Sequence, residues 1–198
     1  MPCGCLASML RVKALVLAGM AHLVLTRAAY QVQRVVGARE IRAASTFLCN
    51  IFQDEGVIDA SRANLNRHIE ETSALLTQHA EFGSGTVAGF RSCLIKVSRG
   101  GGEWVGFGEL LTDNATPRRR AVLQNLAVSP KCRRLGLGTL IVEEACRIAG
   151  REWNFDRLRV NVEDDNEAAL RFYASLGFEP EHEELFGGFG STMMSKSV

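Results

Sequence analysis

The chain has 198 residues, 46% hydrophobic and 23% charged, which suits one soluble globular domain with an ordinary core and leaves about 40 residues over. A formal net charge of +1 gives no overall field that would argue for nucleic acid as the partner. Six scattered cysteines, with no CxxC and no paired spacing with histidine, argue against a metal site and a disulfide framework and for a reducing compartment.

The first 39 residues carry five basic side chains (Arg11, Lys13, Arg27, Arg34, Arg39) and no acidic one; Glu40 is the first carboxylate. Arg11-Val12-Lys13 precedes an apolar run from Ala14 to Leu25 that Gly19 and His22 interrupt, too short to span a bilayer well. An acid-free, arginine-bearing start is the pattern of an organellar presequence. Residues 1–29 then read as targeting, residues 30–198 as the domain, and a plastid or mitochondrion as the destination. A secretory signal, or an extra helix on a cytoplasmic protein, are the other readings of the same run. The mature domain shows no call for a membrane.

Tyr30 to Val36 alternates loosely and is rich in β-formers, which predicts a first strand. Ala38 to Phe52 sets Ile41, Ala44, Leu48 and Ile51 at helical spacing. After a turn at Asp54-Glu55-Gly56, Asp59 to Gln78 reads as a polar helix with Leu65, Ile69 and Leu75 inward, and Gly83-Ser84-Gly85 breaks the pattern. Phe90 to Val97 and Glu103 to Leu111 read as two strands joined at Gly100-Gly101-Gly102, residues that tolerate positive φ. The run Arg118-Arg119-Arg120 reads as a solvated turn, and Arg120 to Val128 as a strand ended by Ser129-Pro130. Leu137 to Trp153 places Leu137, Leu140, Ile141, Ala145 and Ile148 on one stripe of an amphipathic helix. Leu158, Val160 and Val162 then alternate with Arg159, Asn161 and Glu163 in a strand. Asp164 to Asn166 caps a short helix, Glu167 to Leu176, with Gly177 at its C′ position. Phe178 to Met194 completes the pattern with one or two strands around Gly187-Gly188. The order implies a mixed α/β sheet.

The stretch Leu126 to Thr139, LAVSPKCRRLGLGT, carries the chemistry. A strand ends at Val128, a short loop follows, and a helix opens at about Gly138. The first N–H groups of a helix lack partners and carry partial positive charge, so such a turn receives an anion. Gly136 and Gly138 let the backbone come close, and Arg133 and Arg134 add charge-assisted contacts to phosphate. A bland strand-to-helix loop is the other reading. No P-loop string is present, and Ile141 stands where a dinucleotide fingerprint needs its third glycine.

Arg133-Arg134-Leu135-Gly136-Leu137-Gly138 resembles the R/Q-x-x-G-x-G/A signature of the GNAT acetyltransferase superfamily, with Leu126-Ala127-Val128 like its preceding strand. Downstream, Asn166-Glu167-Ala168-Ala169-Leu170-Arg171-Phe172-Tyr173-Ala174-Ser175-Leu176-Gly177-Phe178 is similar to the family's N-x-x-A-x-x-x-Y-x-x-x-G-F block. The likeness covers Val32 to Met194 and is strongest from Trp104 to Phe178. Its flavour is that of ribosomal-protein and organellar N-terminal acetyltransferases.

The resemblance implies an acyl-CoA N-acyltransferase fold: a mixed, mostly antiparallel central sheet, flanked by helices and splayed between its fourth and fifth strands. It implies acetyl-CoA in that opening, with backbone groups of Leu126, Ala127 and Val128 on the pantetheine arm and the turn through Arg133, Arg134, Leu135, Gly136, Leu137, Gly138 and Thr139 around the pyrophosphate. Asn166 would touch the cofactor as well as cap its helix, and Tyr173 would be the general acid beside the thioester sulfur. No metal takes part. Asn161 stands where some relatives carry a glutamate base. Glu109 and Glu163 are therefore the candidates for that role, alongside a water wire. Glu179, Glu181, Glu183 and Glu184 cluster where family members shape the acceptor site, so a cationic amine is expected: a peptide N-terminus, a lysine or a polyamine. A solvated acidic loop is the bland reading. The contrasting function is a non-catalytic acyl-CoA sensor on the same fold.

Overall fold

The computed structural model describes residues 29–56, 61–81, 90–113, 119–181 and 190–198. Residues 1–28 of the segment read as targeting (1–29), Gly83-Ser84-Gly85 and Gly187-Gly188 lie outside them. The strands are β1 (Tyr30–Arg34), β2 (Ser92–Arg99), β3 (Glu103–Asp113), β4 (Arg120–Val128), β5 (Arg157–Glu163), β6 (Glu179–Pro180) and β7 (Ser191–Ser197). They form one sheet in the order β1-β2-β3-β4-β5-β7-β6. The helices are α1 (Ala38–Asp54), α2 (Arg62–Glu81), α3 (Leu137–Arg147) and α4 (Glu167–Ser175). Strands β4 and β5 pair in parallel, and every other pair is antiparallel.

Each face of the sheet has its own core. Ile41, Ala44, Leu48 and Ile51 of α1 and Leu76 of α2 pack with Leu94, Phe107 and Ala127. On the other face Leu137, Ile141, Val142 and Ala145 of α3 pack with Ile95, Val97, Leu110, Leu123, Leu158 and Val160. The alternation read along β5 is therefore real: Leu158, Val160 and Val162 are buried, while Asn161 and Glu163 are exposed. At the hairpin Gly101 and Gly102 take φ of 81° and 84°, as the turn requires.

Helix α3 sits close to β3 because two glycines let it. A Cβ at Gly106 would lie 3.1 Å from Ile141 Cδ1, and one at Gly108 would lie 2.5 Å from Ile141 Cγ2. Gly108→Ala should therefore destabilise the fold by about 1–3 kcal/mol through overpacking. The measurement is a urea midpoint; an unshifted midpoint would mean that Ile141 simply turns away.

Two expectations need correction. On α2 the inward residue is Leu76, not Leu75, which is 45% exposed. The buried stripe runs through Ile69 and Leu76, seven residues apart, and Leu75 falls off it. The helix expected through to Trp153 also changes form. After Arg147 it becomes a π-helical turn, Ile148–Glu152, with the Trp153 N–H donating to Ile148 O at 2.9 Å. Gly150 lies there against the backbone of Val198.

Candidate active site

Strands β4 and β5 pair only at Ala121–Leu158 and Val122–Arg159. Beyond Val122 they part, which leaves the β5-facing edge of β4 without ladder partners and open to a ligand. The same stretch of β4 carries a bulge. Phe107 pairs with Ala127 and Glu109 with Gln124, so two residues of β4 face one of β3, and Asn125 turns left-handed at φ 52°. The splay is where the family resemblance places it. Leu126, Ala127 and Val128 form the lip of the opening.

The chain leaves β4 through a short turn at Pro130–Cys132 and enters α3 through two left-handed residues, Arg134 (φ 63°) and Gly136 (φ 78°). Gly136 is the N-cap and supplies no side-chain cap; the first bond within the helix runs from the Leu140 N–H to Gly136 O. The N–H groups of Leu137, Gly138 and Thr139 are thus the helix's open donors, the arrangement that receives an anion.

Other residues of the loop also make contacts within the fold. A Cβ on Gly138 would lie 3.0 Å from Phe172 Cζ, so this glycine admits α4 against α3. Leu135 packs on the core, and Cys132 is buried in it. Arg133 donates to Val128 O at 3.2 Å and pairs with Glu55 at the end of α1. Arg134 is exposed.

Helix α4 starts and stops as its residues dictate. The Asn166 side chain accepts from the Ala169 N–H at 3.0 Å. At the other end the Gly177 N–H donates to Ala174 O, and the Phe178 N–H reaches back to Tyr173 O at 3.1 Å, with Gly177 at φ 84°. This closure holds Phe178 edge-on to Tyr173, ring centroids 5.4 Å apart, and Phe172 stacks edge-on from the other side at 5.1 Å. Burial pushes the Tyr173 phenol up to about 12, so it stays protonated across the working pH range.

The two glutamates proposed as bases lie in different surroundings. Glu163 is exposed at the end of β5. Glu109 is wholly buried on the α1/α2 face, and both its oxygens are engaged. Oε2 accepts from Gln124 Nε2 and Asn125 Nδ2, each at 2.8 Å, and Oε1 lies 2.6 Å from His79 Nδ1. The bulge residue Asn125 is thereby tied directly to Glu109. His79, in the last turn of α2, is a member of this cluster that sequence reading missed. It lies three residues beyond Leu76, so a stripe drawn through Leu76 would have carried a histidine onto the buried face.

The acidic cluster is only partly acidic in effect. Glu181 is half-buried, and Arg159 Nε donates to it at 3.0 Å while Arg157 Nε stands 3.7 Å away. Burial alone would raise its pKa. Hydrogen bonds from Ser195 and Arg159, with the charges of Arg159 and Arg120, hold it below the usual carboxylate range. Arg120 is buried, so the arginine run is not wholly a solvated turn. Glu183 and Glu184 lie outside the described residues, as does Arg118.

Comparison with known proteins fits this geometry. The family described as the acetyltransferase (GNAT) family matches residues 48–178. "Probable N-acetyltransferase san" of Drosophila melanogaster is 36% identical over 67 residues, 34% of this chain and 36% of that protein. "GCN5-related N-acetyltransferase 7, chloroplastic" of Arabidopsis thaliana is 40% identical over 65 residues, 33% of this chain and 23% of that protein. The chain thus aligns with about a third or less of these relatives. Among solved structures, a spermidine N-acetyltransferase from Vibrio cholerae superposes with a TM-score of 0.59 at 15% identity, over 86% of this chain and 94% of that one. That likeness concerns the fold, the acyl-CoA N-acyltransferase sheet with its parted β4 and β5.

Proposed function

The chain belongs to the GNAT acetyltransferase family, and from that premise we propose that it transfers the acetyl group of acetyl-CoA to an amine by direct attack in a ternary complex. The observation that carries this reading is the opening between β4 and β5 that leads into the uncapped start of α3. An elongated ligand with an anionic end matches both halves of that shape. Backbone groups of Leu126, Ala127 and Val128 would hold the pantetheine arm, and the turn from Arg133 to Thr139 the pyrophosphate. Acetyl-CoA, when bound, supplies the acetyl group as an activated thioester. Backbone N–H groups on the bulged edge of β4 would polarise the acetyl carbonyl. Tyr173, a protonated phenol, would donate a hydrogen bond to the sulfur as its charge develops. Asn166 would touch the cofactor while capping α4.

For the acceptor we favour a protein N-terminus or a lysine, with a small amine such as a polyamine as the further possibility. The exposed carboxylate of Glu163 at the open end of β5 supports a cationic acceptor. The ion pairs of Glu181 make that residue a poor lure for a second cation. Delivery to an organelle by residues 1–29 belongs to the same reading, supported by their acid-free, basic composition. A fluorescent fusion carrying only those residues should enter a plastid or mitochondrion, and diffuse fluorescence would sink that part.

The deciding experiment is incubation with labelled acetyl-CoA against peptides with free N-termini, lysine peptides and polyamines side by side. Label should pass to at least one class. If none accepts it while acetyl-CoA still binds, the protein is a sensor and the proposal fails.

A further inference from the structure

We propose that His79 is the base that takes the proton from the acceptor amine, with Glu109 as the positioning carboxylate that holds its ring. The inference deepens the acetyl-transfer reading above and rests on it. Glu109 itself is shut away: it is 0% exposed, and neither oxygen lacks a partner. The His79 side chain is 17% exposed, so of the two titratable groups in the cluster the ring is the one that meets the outside.

The partners also fix the orientation of the ring. A carboxylate accepts, so the 2.6 Å contact is an Nδ1–H donating to Glu109 Oε1, and the lone pair of the ring, when it is neutral, is on Nε2. Among the described residues Nε2 makes no hydrogen bond. Two amides on Oε2 keep the carboxylate from rotating away. The imidazolium formed on proton uptake is then balanced by Glu109 and by the negative end of α2, whose last turn carries His79.

The placement suits the reaction. Gln124 and Asn125 belong to the bulged stretch of β4 whose other edge borders the opening, so Glu109 lies on the neighbouring strand, about 4.8 Å from β4 by ordinary strand spacing. The proton step is simple in its balance. An ammonium N–H bond breaks, its electron pair stays on the amine nitrogen, and an Nε2–H bond forms, directly or through one water. The imidazolium returns its proton to solvent after turnover.

The test uses the full chain, with whichever amine the wild type acetylates. His79→Gln and His79→Ala should each lower kcat by about 10²-fold or more, with the KM for acetyl-CoA and the melting temperature little changed. Glu109→Gln should lower kcat by about tenfold or more, since the ring loses its counter-charge. Added imidazole should restore several-fold activity to His79→Ala and none to the wild type, which a purely structural role would not do. Variants that turn over like wild type, or a folded His79→Ala that imidazole leaves dead, would overturn the inference. If His79→Ala fails to fold, the kcat of His79→Gln decides. A wild type that acetylates no amine would instead overturn the acetyl-transfer reading beneath it.

Discussion

Tyr173→Phe should lower kcat by about 10²- to 10⁴-fold, the range of a positioned proton donor, and leave the KM for acetyl-CoA within about twofold. The substitution removes one oxygen and keeps the ring, so the edge-on contacts with Phe172 and Phe178 and the closure at Gly177 persist. No described residue hydrogen-bonds the hydroxyl, so stability should hardly move. Burial raises the phenol to about 12, well above a free thiol near 8.5, so in the proposed role the hydroxyl would act mainly by hydrogen-bonding the departing thiolate. It also means that Tyr173 contributes no alkaline fall in activity below about pH 10. Steady-state kinetics with a melting curve read all of this. A variant that keeps its turnover would reduce Tyr173 to a packing residue.

The second large effect belongs to the anion turn. Arg133→Ala combined with Arg134→Ala should raise the KM for acetyl-CoA by about 10- to 100-fold and leave kcat within about twofold. Two charge-assisted contacts at about 1.5–3 kcal/mol each would give more, but both side chains are exposed and solvent screens them. The wild-type KM should accordingly rise with salt, and that of the double variant much less. Arg133 is held meanwhile by Glu55 and Val128 O, so in the proposed complex phosphate would have to compete for it. Glu55→Gln should then lower the KM modestly. An unchanged KM in the double variant would leave the backbone N–H groups of α3 as the whole anion site.

Much of this was legible in the chain because it depends on near neighbours. The left-handed glycines at 101, 102 and 177, the cap at Asn166 and the alternation along β5 are local demands of the backbone, and each lies where its residues predict. The two blocks that name the family sit on one side of the molecule. They specified the turn into α3 and the Tyr173 helix, and nothing of α1 and α2 beyond their periodicity. The misreading of Leu75 for Leu76 shows the weakness of that signal, since on a polar helix one residue of phase decides which face is buried.

The sequence by itself therefore determined the order of elements, the glycine turn that opens α3 and the helix that carries Tyr173, all of which arise from contacts within one or two turns of chain. Only the tertiary structure decided which glutamate is which. Glu109 and Glu163 carry the same group, yet one is exposed at a strand end and the other lies buried between His79 from α2 and Gln124 and Asn125 from β4. That distinction depends on side chains 15 to 30 positions away in sequence, brought together by strand register and helix packing. The same holds for Glu181, whose acidic character the arginines of β5 offset. Local pattern fixes what each residue is able to do; long-range packing fixes whether it is free to do it.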